Sequence, residues 1–422
     1  MTAGWTAARA EEYLLGLELF GMRFGLDRMH RLTTTLGMPQ RRFASVHVVG
    51  SNGKSSTVRF TAAVLQRHGL RSGSYTSPHL ASFRERIEVG EQPVSDECFA
   101  AAVERAAKAA ELVERAQGDE GEPVTQFEAL TAAAYHELAA RKVEVAVIEA
   151  GLGGRYDATN VIPSKVTVLT GVGLEHTRWL GPTIADIAEE KLAVVRDHST
   201  LVTGPLEPAA RAVAERVAGE RHAGWIESPA LAGVPLRAAG AFQRQNFALA
   251  CAAAEALLGR ALDPAAVADA AASTRIPGRL DPMSDRPLVL HDGAHNPAGA
   301  RALAEALPEV LGDRRPRVLV ASVLEDKDAA AMLEALLGQF DQVVFTRCSN
   351  PRSLSPATLE SLAKHTTGGQ APSRARTVPD PRAAVQAAAE LAGPEGAVVV
   401  TGSIYLIADL VRPAAAARAS TM

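Results

Sequence analysis

Between Ala7 and Leu36 apolar positions recur at helical spacing and break around Phe24-Gly25-Leu26, which predicts two helices. The β-rich run Ser45-Val46-His47-Val48-Val49 then leads into a glycine loop, and Ser56 to His68 returns to helical spacing. Ser74-Tyr75-Thr76 reads as a second strand, ending at Ser77-Pro78-His79. Helices are expected from Ala100 to Ala116 and from Phe127 to Ala140, on either side of an acidic loop from Asp119 to Val124. Val143 to Ile148 and Val166 to Thr170 are continuous enough in apolar residues to be strands covered on both faces.

A Pro/Asp-rich stretch from Asp281 to Pro287 reads as a linker. A second alternation follows, with strands at Leu288–Leu290, Val318–Val320, Val343–Phe345 and Val398–Val400 and Ala/Leu-rich helices between them. Strands alternating with helices of this length predict mostly parallel, helix-covered sheets. The 422 residues exceed the roughly 250–300 at which one core stops growing. Two α/β domains are therefore expected, 1–283 and a smaller one at 287–422.

The apolar fraction of 47% and charged fraction of 22% are those of an ordinary soluble globular chain. A net charge of −4 without a basic run argues against a nucleic-acid partner. Cys98, Cys251 and Cys348 are scattered, without metal or disulfide spacing, which suits a reducing compartment. No apolar run reaches the length of a membrane span, and the first residues lack the pattern of a signal peptide. A cytoplasmic protein with no membrane partner is expected.

The segment Gly50-Ser51-Asn52-Gly53-Lys54-Ser55-Ser56 has the physics of an anion cradle. Its glycines let the backbone present N–H groups, the following helix adds its N-terminal dipole, and Lys54 adds a point charge. A hydroxyl after such a lysine can ligate magnesium. The spacing is the shorter GxxGK, since Val48 stands where the longer pattern has glycine. The alternative is a glycine turn with a surface lysine. Glu149 closes an apolar strand, where a metal-binding acid belongs in a sheet that carries a phosphate loop, although an ordinary strand-end glutamate looks the same. Gly151-Leu152-Gly153-Gly154 does not fit a dinucleotide fingerprint, because position 156 is Tyr. Ser77 and His176 also follow strand ends, which would bring both to the same sheet edge as Glu149. In the second half, Asp292 just past a strand suits a ribose hydroxyl or the orientation of a nucleophile, while His295 and Asn296 read equally well as a turn and a helix cap.

These segments, in their order along nearly the whole chain, resemble the folylpolyglutamate synthase/dihydrofolate synthase family of the Mur-ligase superfamily. The carriers include Phe24-Gly25-Leu26-Asp27, the loop at Gly50–Ser56, Ser77-Pro78-His79-Leu80, Gln126-Phe127-Glu128, and Glu149 through Asn160. Glu190-Lys191, Gln243 to Asn246, Pro277-Gly278-Arg279 and Asp292 through Pro297 continue the series. The resemblance implies a Mur-ligase-like α/β fold, with a P-loop ATPase domain carrying a mostly parallel sheet and a smaller Rossmann-like C-terminal α/β domain.

It also implies the reaction. ATP activates a pteroate or folate carboxylate as an acyl phosphate, which the amino group of L-glutamate then attacks. By the same resemblance Ser51, Asn52, Gly53, Lys54, Ser55 and Ser56 would cradle the ATP phosphates, with Asn246, Arg279 and Asp292 completing the nucleotide site. Ser77 and Glu149 would hold one magnesium, and Glu149, His176 and a carbamylated Lys191 the second. Phe24, Gly25, Leu26 and Asp27, then Thr125, Gln126, Phe127 and Glu128, then Tyr156, Asp157 and Ala158 would contact dihydropteroate or a reduced folate. Glutamate would enter around His295 and Ser322, in a monomeric enzyme. Lysine titrates near pH ~10.4, so only its carbamate would serve as a magnesium ligand.

Departures from the family's usual pattern are Ser55 after the loop lysine, Glu175 before His176, Tyr156 after Arg155, and Leu192-Ala193-Val194 after Lys191. Two other readings stay open: a Mur-type ligase for another carboxylate, and an ATP- and folate-binding regulatory ATPase that does not ligate.

Overall fold

The computed structural model describes residues 4–18, 25–118, 122–228, 233–366 and 375–412. The described residues form two compact units. The first takes the chain up to Pro235 together with Arg244–Thr274, and the second takes Leu236–Gln243 and the chain from Arg275 onward.

The first unit is built on eight strands, β1 (Ala44–Val49), β2 (Ser72–Tyr75), β3 (Ile87–Val89), β4 (Gln92–Pro93), β5 (Val145–Glu149), β6 (Val166–Leu169), β7 (Thr200–Thr203) and β8 (Gly224–Glu227). Their order across the sheet is β4-β3-β2-β5-β1-β6-β7-β8. β2, β5, β1, β6, β7 and β8 pair in parallel, and the β2–β3 and β3–β4 pairs at one edge are antiparallel. The central strands are buried along most of their length because helices cover both faces, as their mainly apolar runs suggest. On one side Tyr75, Phe99, Leu130 and Tyr135 form a core with the helices Asp96–Gln117 and Gln126–Ala140. A second cluster joins Val49, Leu169, Leu192 and Leu201. β5 lies between β2 and β1, so chain order reverses around β1, and the carboxyl ends of β5, β1 and β6 open on one crevice.

Among the buried polar residues of this sheet is a histidine. His47 on β1 is fully buried, its Nε2 lies 2.8 Å from the Thr159 hydroxyl, and burial, reinforced by Arg196, brings its pKa down to about 3.

The second unit holds β9 (Asp281–Asp285), β10 (Leu288–His291), β11 (Arg317–Ala321), β12 (Gln342–Phe345), β13 (Ala375–Thr377) and β14 (Ala397–Thr401), in the order β13-β12-β11-β14-β10-β9. All are parallel except the edge strand β9. The Pro/Asp-rich stretch expected to be a linker is thus mostly strand. Pro282 is tolerated there because β9 is at the edge, where a missing N–H disrupts no interior ladder.

Among the described residues no helix is long and apolar enough to cross a membrane. Cys98, Cys251 and Cys348 are free thiols.

The start of the helix Gln126–Ala140 shows how polar side chains are consumed by architecture. Thr125 caps it, accepting from the Glu128 N–H, while Glu128 accepts from the Thr125 N–H at 2.9 Å, a reciprocal capping box. Glu128 also pairs with the buried Arg28 at 3.1 Å, and Arg28 reaches Glu122 at 2.6 Å. Removing one partner of a buried pair leaves an uncompensated charge. Glu128→Ala is therefore expected to cost about 3 kcal/mol of stability, read as a lower urea midpoint. An unchanged midpoint would show that Arg28 finds equal compensation elsewhere.

Candidate active site

The phosphate loop follows β1 and is clamped from β6. Gly53 takes a left-handed φ of +85° and heads the helix Lys54–Arg67, a conformation that glycine adopts without a Cβ penalty. A Cβ at Gly50 would come within 1.9 Å of the Thr170 hydroxyl, and one at Gly53 within 2.3 Å of Asn246 Oδ1. Thr170 donates to the Asn52 carbonyl at 2.6 Å. The Ser51 N–H donates to the Gly171 carbonyl at 2.9 Å, and the Ser51 hydroxyl accepts from the Gly173 N–H at 2.9 Å. The loop is thus held by the turn after β6 on one side and by Asn246 on the other. Ser56 is buried beneath it.

Glu149 ends β5 only 2% exposed. One carboxylate oxygen accepts from the Ser55 hydroxyl at 2.9 Å, and the other accepts from the Ser77 N–H at 3.1 Å. The turn after β2 and the first turn of the phosphate-loop helix therefore meet at this one acid.

The cationic side is shared by two lysines. Lys54 Nζ donates to the carbonyls of Gly50 at 2.9 Å and Ser51 at 3.3 Å. Lys191, with a side chain only 2% exposed, donates to the same Gly50 carbonyl at 2.9 Å and pairs with Glu175 at 3.2 Å. Burial, joined by Lys54, brings the Lys191 pKa down to about 8 against the pull of Glu175. Burial would raise the Glu175 carboxyl, but Lys54, Lys191 and His176 together outweigh it and hold the pKa down at about 2. His176 is exposed, in left-handed conformation at the head of the one-turn helix Thr177–Leu180, beside Glu175.

These donors bear on the magnesium that the family resemblance implies. The oxygens of Glu149, Ser55 and Ser77 are hard and suit such an ion. The Lys191 ammonium does not suit a cation, so the second expected site fits only with Lys191 as its carbamate. Among the described residues no three His, Cys, Asp or Glu side chains converge as a ready-made metal site.

The segments expected to contact the carboxylate substrate divide sharply. Phe24 lies outside the described residues. Gly25 and Leu26 lead into the helix Asp27–Thr35, with Asp27 exposed at its start. Thr125 and Glu128 are engaged in the helix cap, and the buried Gln126 donates to the Leu14 carbonyl at 2.7 Å. Phe127 is half-buried, packs on Tyr75 with ring centroids 6.2 Å apart, and lies against Gly151. Tyr156 is exposed, Ala158 is buried, and Asp157 is buried with its carboxylate accepting from the Leu152 N–H at 2.9 Å. Phe127 lies against the glycine loop after β5, and Tyr156 follows it in the chain.

In the second unit the buried Asp292 accepts from the backbone N–H of Leu280 at 3.0 Å and of Ala294 at 2.8 Å, which ties the end of β10 to the turn carrying Arg279. Burial raises its pKa, opposed by Arg279. His295 Nδ1 lies 2.9 Å from the Gly293 carbonyl, and Asn296 caps the helix Pro297–Leu311. Ser322 is fully buried, 3.1 Å from the Ser353 hydroxyl and accepting from the Cys348 N–H. Sequence reasoning noted Glu175 only as a departure, and Thr170 only as a strand residue. An acid immediately before the candidate ligand His176 was the available signal.

Residues 278–404 match the family model described as Mur ligase, glutamate ligase domain. A dihydrofolate synthase/folylpolyglutamate synthase of Bacillus subtilis is 33% identical, over 95% of this chain and 97% of its own. The chain belongs to the dihydrofolate synthase/folylpolyglutamate synthase family. Membership makes it an ATP-dependent ligase. Mycobacterium tuberculosis folylpolyglutamate synthase complexed with ADP superposes with a TM-score of 0.89 at 33% identity, covering 96% of this chain and 97% of that one. E. coli FolC in complex with DHPP and ADP gives 0.84 at 28% identity, covering 96% and 97%.

The charge balance at Glu175 has a pH signature. Its folded pKa of about 2 lies below the ordinary 4.5, so its stabilising effect is complete above pH 4.5 and is lost as pH falls toward 2. Glu175→Gln should lower the thermal midpoint at neutral pH, with the gap to wild type closing from about pH 5 down to about pH 2. A gap that stays constant across that window would refute this role of the carboxylate.

Proposed function

We propose that this chain joins the carboxylate of dihydropteroate or a reduced folate to the amino group of L-glutamate, driven by ATP through an acyl phosphate. The observation that carries the reading is the Glu149 cluster, with Ser55, Ser77, the phosphate loop and Lys191 gathered at one sheet edge of a family member.

The loop N–H groups and Lys54 receive the phosphates, Lys54 exchanging loop carbonyls for phosphate oxygens. Asn246, lodged over Gly53, borders the nucleotide side. Glu149 with Ser77 and Ser55 would hold one magnesium, and Glu149, His176 and Lys191 a second. Bound there, magnesium would neutralise charge on the transferring phosphoryl group.

Lys191 supports the carbamate reading. Its lowered pKa leaves more of the neutral amine, the form that adds carbon dioxide. The resulting anion would lie beside the Glu175 carboxylate, a repulsion that the charge of a bound magnesium would offset. Phe127 and Tyr156 border the ring of the carboxylate substrate, and His295 and Ser322 mark the region for the incoming glutamate. The reading includes a monomeric cytoplasmic enzyme, on the free cysteines and the family.

Lys54→Ala should reduce glutamate-dependent ADP release at least about a hundredfold with the circular dichroism spectrum unchanged, because a preorganised phosphate contact is lost. Retained turnover would sink the assignment. Mass measurement of products from dihydropteroate and tetrahydrofolate, offered separately, identifies which acceptor gains a glutamyl residue.

A further inference from the structure

We propose that Trp179 is a contact for the flat aromatic part of the carboxylate substrate, an inference that rests on the ligase reading above. Trp179 is 44% exposed on the helix Thr177–Leu180, unusual for the largest apolar side chain. Its position is nevertheless fixed. The Trp179 N–H donates to the His176 carbonyl at 2.8 Å, and the next residue, Leu180, is buried against Gly153, where a Cβ would come within 2.8 Å of it. The helix therefore rests on the glycine loop after β5, two residues from Gly151, the position against which Phe127 packs.

Trp179 does not stand alone. Tyr156, 37% exposed, follows the same glycine loop, and Leu174, 63% exposed, immediately precedes Glu175. Large exposed apolar side chains on the segments that lead into and out of a reactive cluster suit a surface that a ligand covers. The Arg178 guanidinium lies 5.4 Å from the Trp179 ring centroid, adding positive charge to the aromatic surface. An aromatic ring with a cation beside it suits a planar, anionic ligand.

Of the three substrates of the ligase reading, ATP and the pteroate or folate carboxylate carry such a ring. The nucleotide side of the loop is marked by Asn246 over Gly53, whereas the helix of Trp179 adjoins the loop that Phe127 borders. That placement assigns Trp179 to the carboxylate substrate and not to adenine.

The test uses the full chain with Trp179→Ala and Trp179→Phe. Initial rates are measured against dihydropteroate, tetrahydrofolate and ATP in turn, with ADP affinity by calorimetry and the thermal midpoint as controls for folding. Loss of a stacking partner should raise KM for the ring-bearing carboxylate about threefold to tenfold in the alanine variant, with phenylalanine restoring most of it. ADP affinity, KM for ATP and the midpoint should stay within about twofold or a few degrees of wild type. An unchanged KM for the carboxylate overturns the proposal, as does a rise confined to ATP and ADP, which would make adenine the occupant. A wild-type protein that ligates neither acceptor defeats the underlying ligase reading instead, so the two failures are distinguishable.

Discussion

The geometry of the site depends on one buried carboxylate. Glu149 is almost fully removed from water, and a buried charge is tolerated only where hydrogen bonds replace its hydration. Its two oxygens are satisfied from two different elements, the Ser55 hydroxyl in the first turn after the phosphate loop and the Ser77 N–H in the turn after β2. Because β5 runs parallel between β1 and β2, all three ends arrive at the same edge. A one-residue slip of β5 would turn Glu149 to the other face and lose both contacts.

A second level of order comes from β6. Thr170 and the turn that follows it grip the backbone of the phosphate loop, and the same segment brings Glu175 to two lysines. The cations and the acid form one electrostatic unit. Lys191 can be almost wholly buried because Glu175 and the Gly50 carbonyl accept from it, and the accumulated positive charge in turn keeps Glu175 ionised.

Much of the framework was legible in the chain because central strands of a covered sheet are mostly apolar. Val143–Ile148 and Val398–Val400 announced themselves in this way, and the observed strands Val145–Glu149 and Ala397–Thr401 fall on them. The edges were not legible. Ile87–Val89, Gly224–Glu227 and Asp281–Asp285 are short or polar, and only pairing with a neighbour makes them strands. At the site, the loop and Glu149 could be read from local pattern. The burden carried by Glu175 could not, because it arises from lysines 121 positions before it and 16 after it in the chain. Thr125 and Glu128 teach the converse lesson: the spacing of a threonine and a glutamate three residues on already describes a helix cap, and the structure uses both side chains for that.

The buried histidine beneath the loop has a consequence of its own. His47 stays neutral in the fold down to about pH 3, while in an unfolded chain it would take up a proton near its ordinary 6.5. Between those values the unfolded state binds more protons than the native one, so the fold weakens as pH falls through that window. Near neutrality and above, the same residue carries no charge. The strand that supports the phosphate loop is therefore electrically silent in mildly basic solution and becomes an acid-triggered weak point when the surroundings turn sour.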